Sequence, residues 1–198
     1  MLRDALVKGF EKKKTDQFLA LADSAPLLFV QRSQWYAEPA RSPPRPLAAL
    51  PAILAIISHT AGSPCHDLET CAKIVFDIQQ YHKYGKGHLW SDIGYNFLVG
   101  GDGLVYVGRG WGVEGAHTLG YNAWSLGVAL VGKFDATRRL LERAVERGHL
   151  ARNYTLLGQR QCKQTQSPGN ATYAIIKGWP HWSLLPPILA QTTTTTTI

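Results

Sequence analysis

Charge is sparse in this chain: Asp, Glu, Lys and Arg make up 18% of its 198 residues, against 45% apolar. A disordered chain would show the reverse balance, so most of this one is expected to fold, as one ordinary domain with a modest remainder. Long hydrophobic runs are missing too. None is long enough to span a bilayer as a helix. The opening Met1-Leu2-Arg3-Asp4 leads to Glu11 and a lysine run without an apolar segment, so it does not read as a secretory signal, and 27–30 is too short for one. Acidic residues are few, 14 against 21 Lys and Arg, which leaves a formal net charge of +7. That excess favours anionic partners in general, such as nucleic acid, anionic membrane or cell-wall polymer. A nucleic-acid role needs a clustered basic face or a reading motif, and neither is found. The one local run, Lys12-Lys13-Lys14, reads as a solvated helix face.

Cysteine is scarce as well, with three in all. Cys65 and Cys71 are too widely spaced for most zinc-ribbon knuckles, and no second pair exists to complete such a site. A short disulfide loop is the favoured reading, with free thiols the alternative. A disulfide would imply an oxidising compartment. Cys162 is then left over as a buried, inert thiol.

The rest is rich in pattern. Residues 1–28 read as a polar extension in which Phe18, Leu21, Ala22 and Ala25 form a short apolar stripe ended by Pro26. The proline-rich 29–51 is expected to run extended. Residues 52–57, Ala-Ile-Leu-Ala-Ile-Ile, suit a strand covered on both faces. A helix is expected from near Leu68, with Ile74, Val75, Ile78, Tyr81 and His82 on one face and glycines 85 and 87 ending it. Residues 95–99 and 104–107 flank Gly100-Gly101-Asp102-Gly103 as a hairpin. Residues 126–131 read as a buried strand, 140–147 as a helix closed by Gly148, 154–157 as a weaker strand, and 172–179 as a final short helix. The tail from 183 ends in six threonines. The expected fold is α/β: a mixed central β-sheet flanked by helices, in a single domain over 29–182 with a ligand groove, between an extension (1–28) and a low-complexity tail (183–198).

Several phrases, in order, resemble the peptidoglycan recognition proteins, relatives of zinc-dependent N-acetylmuramoyl-L-alanine amidases. They are Arg32-Ser33-Gln34-Trp35, Ile57-Ser58-His59-Thr60-Ala61, Asp92-Ile93-Gly94-Tyr95-Asn96-Phe97 and Gly108-Arg109-Gly110-Trp111. After them come Gly115-Ala116-His117-Thr118, Gly120-Tyr121-Asn122, Ser167-Pro168-Gly169 and Trp179-Pro180-His181. The resemblance runs from about Phe29 to His181. It also implies a short-loop disulfide at Cys65 and Cys71.

In catalytic members of that family, two histidines and a cysteine hold a zinc whose bound water becomes the nucleophile, and a tyrosine assists. At the three matching positions this chain has Ser58, Gln159 and Ser167. A hydroxyl and an amide are poor zinc ligands beside imidazole and thiolate. The tyrosine is kept as Tyr95. No metal, no cofactor and no catalytic residue are therefore expected. No His-x-His or His-x-x-x-His pair offers a replacement site.

Binding needs no zinc. By resemblance, the groove residues are His59, Thr60, His82, Trp90, Tyr95, Arg109, His117 and Asn122. Aromatic faces suit sugar and alkyl surfaces, and imidazole, amide and phenol groups suit a peptide. Read without the family, Trp90 and Tyr95 are equally good core aromatics and Asn122 an ordinary turn residue. Arg109 is the sharper case, although a surface arginine at a strand end is its plain alternative. Members preferring stem peptides with meso-diaminopimelic acid carry arginine here and tryptophan at Trp90, and a guanidinium grips the extra carboxylate with two parallel bonds. Two departures stand out: the family's Gly-Trp pair is Leu89-Trp90 beside a slightly expanded 83–88, and the chain is short by about three helical turns after Asp135.

The resemblance implies a non-catalytic receptor that binds bacterial peptidoglycan and associates with another recognition domain across the ligand. An amidase with an atypical metal set is the rival, and a decoy that binds partner domains is a third reading. The disulfide pair points outside the cell or to its surface, and the missing signal to the cytoplasm. Two glycosylation sequons, Asn153-Tyr154-Thr155 and Asn170-Ala171-Thr172, are short patterns that also occur by chance.

Overall fold

The computed structural model describes residues 26–87, 89–132 and 134–187. The lysine run and apolar stripe of the N-terminal extension, and the threonine tail, lie outside the described residues.

Six strands form one sheet in the order β1-β4-β3-β5-β2-β6: β1 Phe29–Val30, β2 Ala52–His59, β3 Phe97–Val99, β4 Val105–Val107, β5 Ser125–Leu130 and β6 Leu150–Gly158. Among the described strands the β3–β4 hairpin is antiparallel and the other four pairings are parallel. The interior strands β2 and β5 are apolar almost throughout because helices cover both faces of the sheet. On one face lies α1, Leu68–Tyr84, whose Cys71, Ala72 and Val75 pack with Trp35, Leu98, Tyr106 and Ala129. On the other, α2 (Phe134–Glu146) presents Ala136, Leu140, Leu141 and Ala144 to Ile57, Phe97, Val99, Leu126 and Val128. The period-2 alternation of a strand explains why Leu98 faces one helix while Phe97 and Val99 face the other. A short α3, Asn170–Ile176, closes the end beside β6. Among the described residues no helix is long and apolar enough to cross a membrane.

Local signals start and stop the helices. Asp67 caps α1 by accepting from the Thr70 amide at 2.8 Å, and Gly85 follows its last residue. Cys65 and Cys71 are joined in a disulfide that ties the loop before α1 to its first turn. The hairpin turn packs against that loop: a side chain at Gly101 would overlap the Cys65 carbonyl.

Five boundaries correct the sequence reading. Residues 29–51 are not uniformly extended, since Arg32–Trp35 forms a 3-10 turn that drops Trp35 into the core, its indole donating to the Val107 carbonyl at 3.0 Å. The first hairpin strand begins at Phe97 rather than 95. Helix α2 begins at Phe134, six residues before the apolar stripe; early in it Ala136 and Thr137 are buried, one small and one polar, so they add nothing to an apolar period. Strand β6 starts at Leu150, not 154: five steps on β6, from Leu150 to Thr155, oppose the two from Ala52 to Leu54, and this bulge breaks the alternation. Helix α3 spans Asn170–Ile176 and ends before Gly178, short of the expected 179. A cavity of about 290 Å³ lies beside α2, between Leu141, Val145, Tyr154 and Trp179.

Candidate functional site

A groove of about 810 Å³ is lined by the loops around the sheet. One wall is the proline-rich loop, Ser42 to Arg45; the other carries Leu119, Asn122 and Trp124. Trp90 and Arg109 line it between them. Of the eight predicted site residues, Trp90, Arg109 and Asn122 therefore line this groove directly.

Arg109 leaves β4 and is held by two backbone carbonyls: Nε donates to Ile93 at 2.7 Å and Nη1 to Glu114 at 2.9 Å. Its Nη2 makes no hydrogen bond among the described residues. Burial pushes its pKa down, while Asp92 and Glu114 oppose the shift. The guanidinium is thus fixed in direction with one nitrogen left for a ligand.

His82 and Tyr95 stand behind Trp90. The His82 ring lies 4.7 Å from the Trp90 ring and 5.5 Å from that of Tyr95, and its Nδ1 accepts from the Gly94 amide at 3.1 Å. A buried imidazole on the last turn of α1 so sets the angle of the tryptophan at the groove wall. Burial pushes the Tyr95 pKa up, partly offset by a hydrogen bond with the Ser58 hydroxyl.

His117 is buried under the floor. Its ring sits where side chains at Gly115 or Gly127 would strike it, which accounts for both glycines. Nδ1 is 3.1 Å from the Thr118 hydroxyl, and Nε2 has no protein partner among the described residues. The Asn122 carboxamide accepts from the backbone amides of His117 and Thr118 at 3.0 and 2.7 Å, so Asn122 both lines the groove and fixes the His117 segment. Burial first, and then Arg109 and Lys163, push the His117 pKa down to about 3. The ring is neutral in the folded protein at physiological pH. A depressed pKa means the unfolded chain takes the proton first as pH falls. The His117 contribution to stability is therefore fully present above about 6.5, the unfolded value. It is expected to be lost progressively as pH falls towards 3, which denaturant titrations between pH 7 and 4 would measure. His117→Asn should flatten that slope.

His59 and Thr60 are set apart, at the end of β2 and outside the lining of this groove. The Thr60 amide donates to the Leu130 carbonyl at 3.1 Å, and the His59 amide to the Ser167 hydroxyl at 3.1 Å. The His59 ring lies beside Gly169, with Nδ1 buried and lacking a protein partner among the described residues.

The three positions matched to zinc ligands do converge. Ile57 pairs with Gly158, which puts Ser58 and Gln159 on adjacent strand ends, and His59 brings in Ser167. Their polar atoms are already engaged within the protein. The Ser58 hydroxyl donates to the Val128 carbonyl at 3.4 Å, the Gln159 amide donates to the His117 carbonyl at 2.6 Å, and Ser167 accepts from His59. Two hydroxyls and a carboxamide, so occupied, do not fit a zinc ion. Among the described residues no group of three His, Cys, Asp or Glu side chains is placed to hold a metal.

Sequence reasoning missed the groove residues on the proline-rich loop. Arg45 lies beside Glu114, whose amide donates to the Arg45 carbonyl at 2.8 Å, and its Nε is 3.3 Å from the Glu114 carboxylate, so the loop is fastened to the 113–114 segment. The proline density marked this segment as surface, but nothing local signals that it folds over a groove. Beneath it, Lys83, almost fully buried on α1, pairs with Glu38 at 2.5 Å. That ion pair holds the loop down, and with a bond from Tyr84 it lowers the Glu38 pKa to about 2.

Fold and groove define a domain of the amidase type. Residues 49–170 match the family model described as N-acetylmuramoyl-L-alanine amidase. Peptidoglycan-recognition protein SC1a of Drosophila melanogaster is 44% identical over 139 residues, covering 65% of this chain and 74% of the relative. Two solved structures are similar at 41% identity. One is the ectodomain complex of peptidoglycan recognition proteins LCa and LCx bound to tracheal cytotoxin, with a TM-score of 0.75 over 79% of this chain and 99% of that one. The other is peptidoglycan recognition protein LE with tracheal cytotoxin, a monomeric diaminopimelic acid-type peptidoglycan, with a TM-score of 0.73 over 78% and 95%. The chain belongs to the peptidoglycan recognition protein family.

Proposed function

We propose that this chain binds peptidoglycan fragments of the diaminopimelic acid type and does not cleave them. The observation that carries the reading is Arg109, clamped through Nε and Nη1 with Nη2 left over at the wall of the groove. A carboxylate placed there gains a charge-assisted bond from a donor that needs no reordering. Trp90, braced by His82, offers a flat face to sugar or alkyl carbon, and Asn122 offers amide chemistry on the opposite wall. Tyr95, His117, His59 and Thr60 act from behind or beyond the main cavity, as supports or as a second contact area for a long ligand. The likeness to two domains solved with tracheal cytotoxin supports this assignment.

Absence of cleavage follows from Ser58, Gln159 and Ser167, which leave no zinc-bound hydroxide for Tyr95 to assist. The LCa–LCx complex supports ligand-bridged association with another recognition domain, and the Leu89 and Leu119 side chains, largely exposed close to the groove, suit such a contact. The Cys65–Cys71 disulfide supports an extracellular or cell-surface location.

Calorimetry with diaminopimelic-type and lysine-type muropeptides, with zinc and with chelator, tests the reading. Zinc-independent binding that favours the diaminopimelic form is expected, with the ligand recovered intact. Failure to bind either would overturn it, and zinc-dependent release of peptide from sugar would restore the amidase reading.

A further inference from the structure

We infer that Asn153 is an acceptor for N-linked glycosylation, and that the glycan covers the open half of the sheet's edge strand. The inference rests on the extracellular reading above. The Asn153-Tyr154-Thr155 sequon alone is a weak signal; its place in the fold makes it specific. Strand β6 is the edge of the sheet. Its second half is covered by 181–183, where the Leu156 amide donates to the His181 carbonyl at 2.8 Å and the Ser183 amide to the Leu156 carbonyl at 3.2 Å. In the first half Leu150 pairs with Ala52 of β2 on one side, and among the described residues no strand or bridge partner lies on the other.

The bulge between Leu150 and Thr155 lies in this open half, and it turns Arg152 and Asn153 out to solvent. Tyr154 points the other way: it is buried and stacked on the His181 ring at 4.3 Å. The Asn153 carboxamide makes no hydrogen bond among the described residues. No residue from 150 to 155 lines the groove. A large polar group at this position therefore disturbs neither core nor ligand site. It would also block the edge-to-edge pairing that an uncovered strand invites.

The second sequon is placed differently. Asn170 is the first residue of α3, and its side-chain oxygen accepts from Arg160 at 2.9 Å. It follows Gly169, where even a single added carbon would come into contact with the His59 ring, so a glycan there would stand close to that residue.

In the reaction the Asn153 amide nitrogen bonds to the anomeric carbon of a lipid-linked oligosaccharide pyrophosphate. The carbon–oxygen bond to pyrophosphate breaks, the lipid pyrophosphate leaves, and the nitrogen gives up one proton. Thr155 supplies the hydroxyl that the transferase requires two residues on.

The full chain, expressed in insect cells behind a cleavable secretory leader, is the test. The leader guarantees delivery, so lack of a glycan would count against the acceptor and not against the extracellular reading. Peptide mapping of the secreted protein after enzymatic deglycosylation should find Asn153 converted to aspartate. The same deglycosylation should increase the protein's gel mobility; Asn153→Gln and Thr155→Ala should each lose that shift, while Thr155→Ser keeps it. A secreted protein unmodified at Asn153, or modified at Asn170 alone, would overturn the inference.

Discussion

A triple variant, Ser58→His with Gln159→His and Ser167→Cys, is expected to hold about one zinc ion per chain after dialysis against metal, where the natural chain holds none above background. The expectation rests on convergence. Strand pairing sets Ser58 beside Gln159, and the His59–Ser167 bond sets the third position against them. The change also removes the internal bonds that now occupy those atoms. Three protein ligands with an open fourth position would define a catalytic type of site, next to a Tyr95 already in place. Metal analysis by mass spectrometry, with a melting curve to confirm folding, decides the matter. A folded triple variant without zinc would show that these positions are not the ligand set. Stoichiometric zinc in the natural chain would undo the argument that its donors do not fit a metal.

Arg109→Ala is expected to weaken the diaminopimelic-type muropeptide by roughly 1.5–3 kcal/mol, the worth of a hydrogen bond to a charged group. That is about a 10- to 150-fold rise in Kd. The lysine-type ligand, which lacks the extra carboxylate, should change little. It is the internal control, because the substitution also removes the clamps on Ile93 and Glu114 and so loosens the wall. Arg109→Lys keeps the charge without the planar fork and should fall between the two. An equal loss for both ligands would make Arg109 a structural arginine and remove the basis for stem-peptide preference.

Much of the fold was legible because strong local patterns agree with their tertiary setting. The run at 52–57 reads as a covered strand and is one; the stripe from Ile74 to His82 reads as a helix starting near Leu68, and Gly85 follows its last residue. Failures fall where long-range contacts decide. Strand β6 hides its start because the bulge at 151–154 suspends the alternation. Helix α2 hides its first turn because the buried side chains there, Ala136 and Thr137, are small or polar. Trp35 goes into the core through a 3-10 turn that no periodicity announces. The same division holds at the groove. Trp90, Arg109 and Asn122 were found through the resemblance, whereas the Arg45–Glu114 bridge and the wall it fastens join segments far apart in sequence. Equally illegible was that His82 and His117 serve mainly behind the surface, since burial is a property of the folded whole.

The groove is assembled from pieces scattered along the chain: the loop at 42–45, Trp90, Arg109, Asn122 and, beneath them, His117 held by Gln159. No contiguous fragment contains it, so whatever occupies it binds the native state and not the unfolded chain. Occupancy then shifts the folding equilibrium by mass action, by about 2.7 kcal/mol at a ligand concentration one hundred times Kd. For such a domain, ligand supply and the folded population become a single coupled quantity.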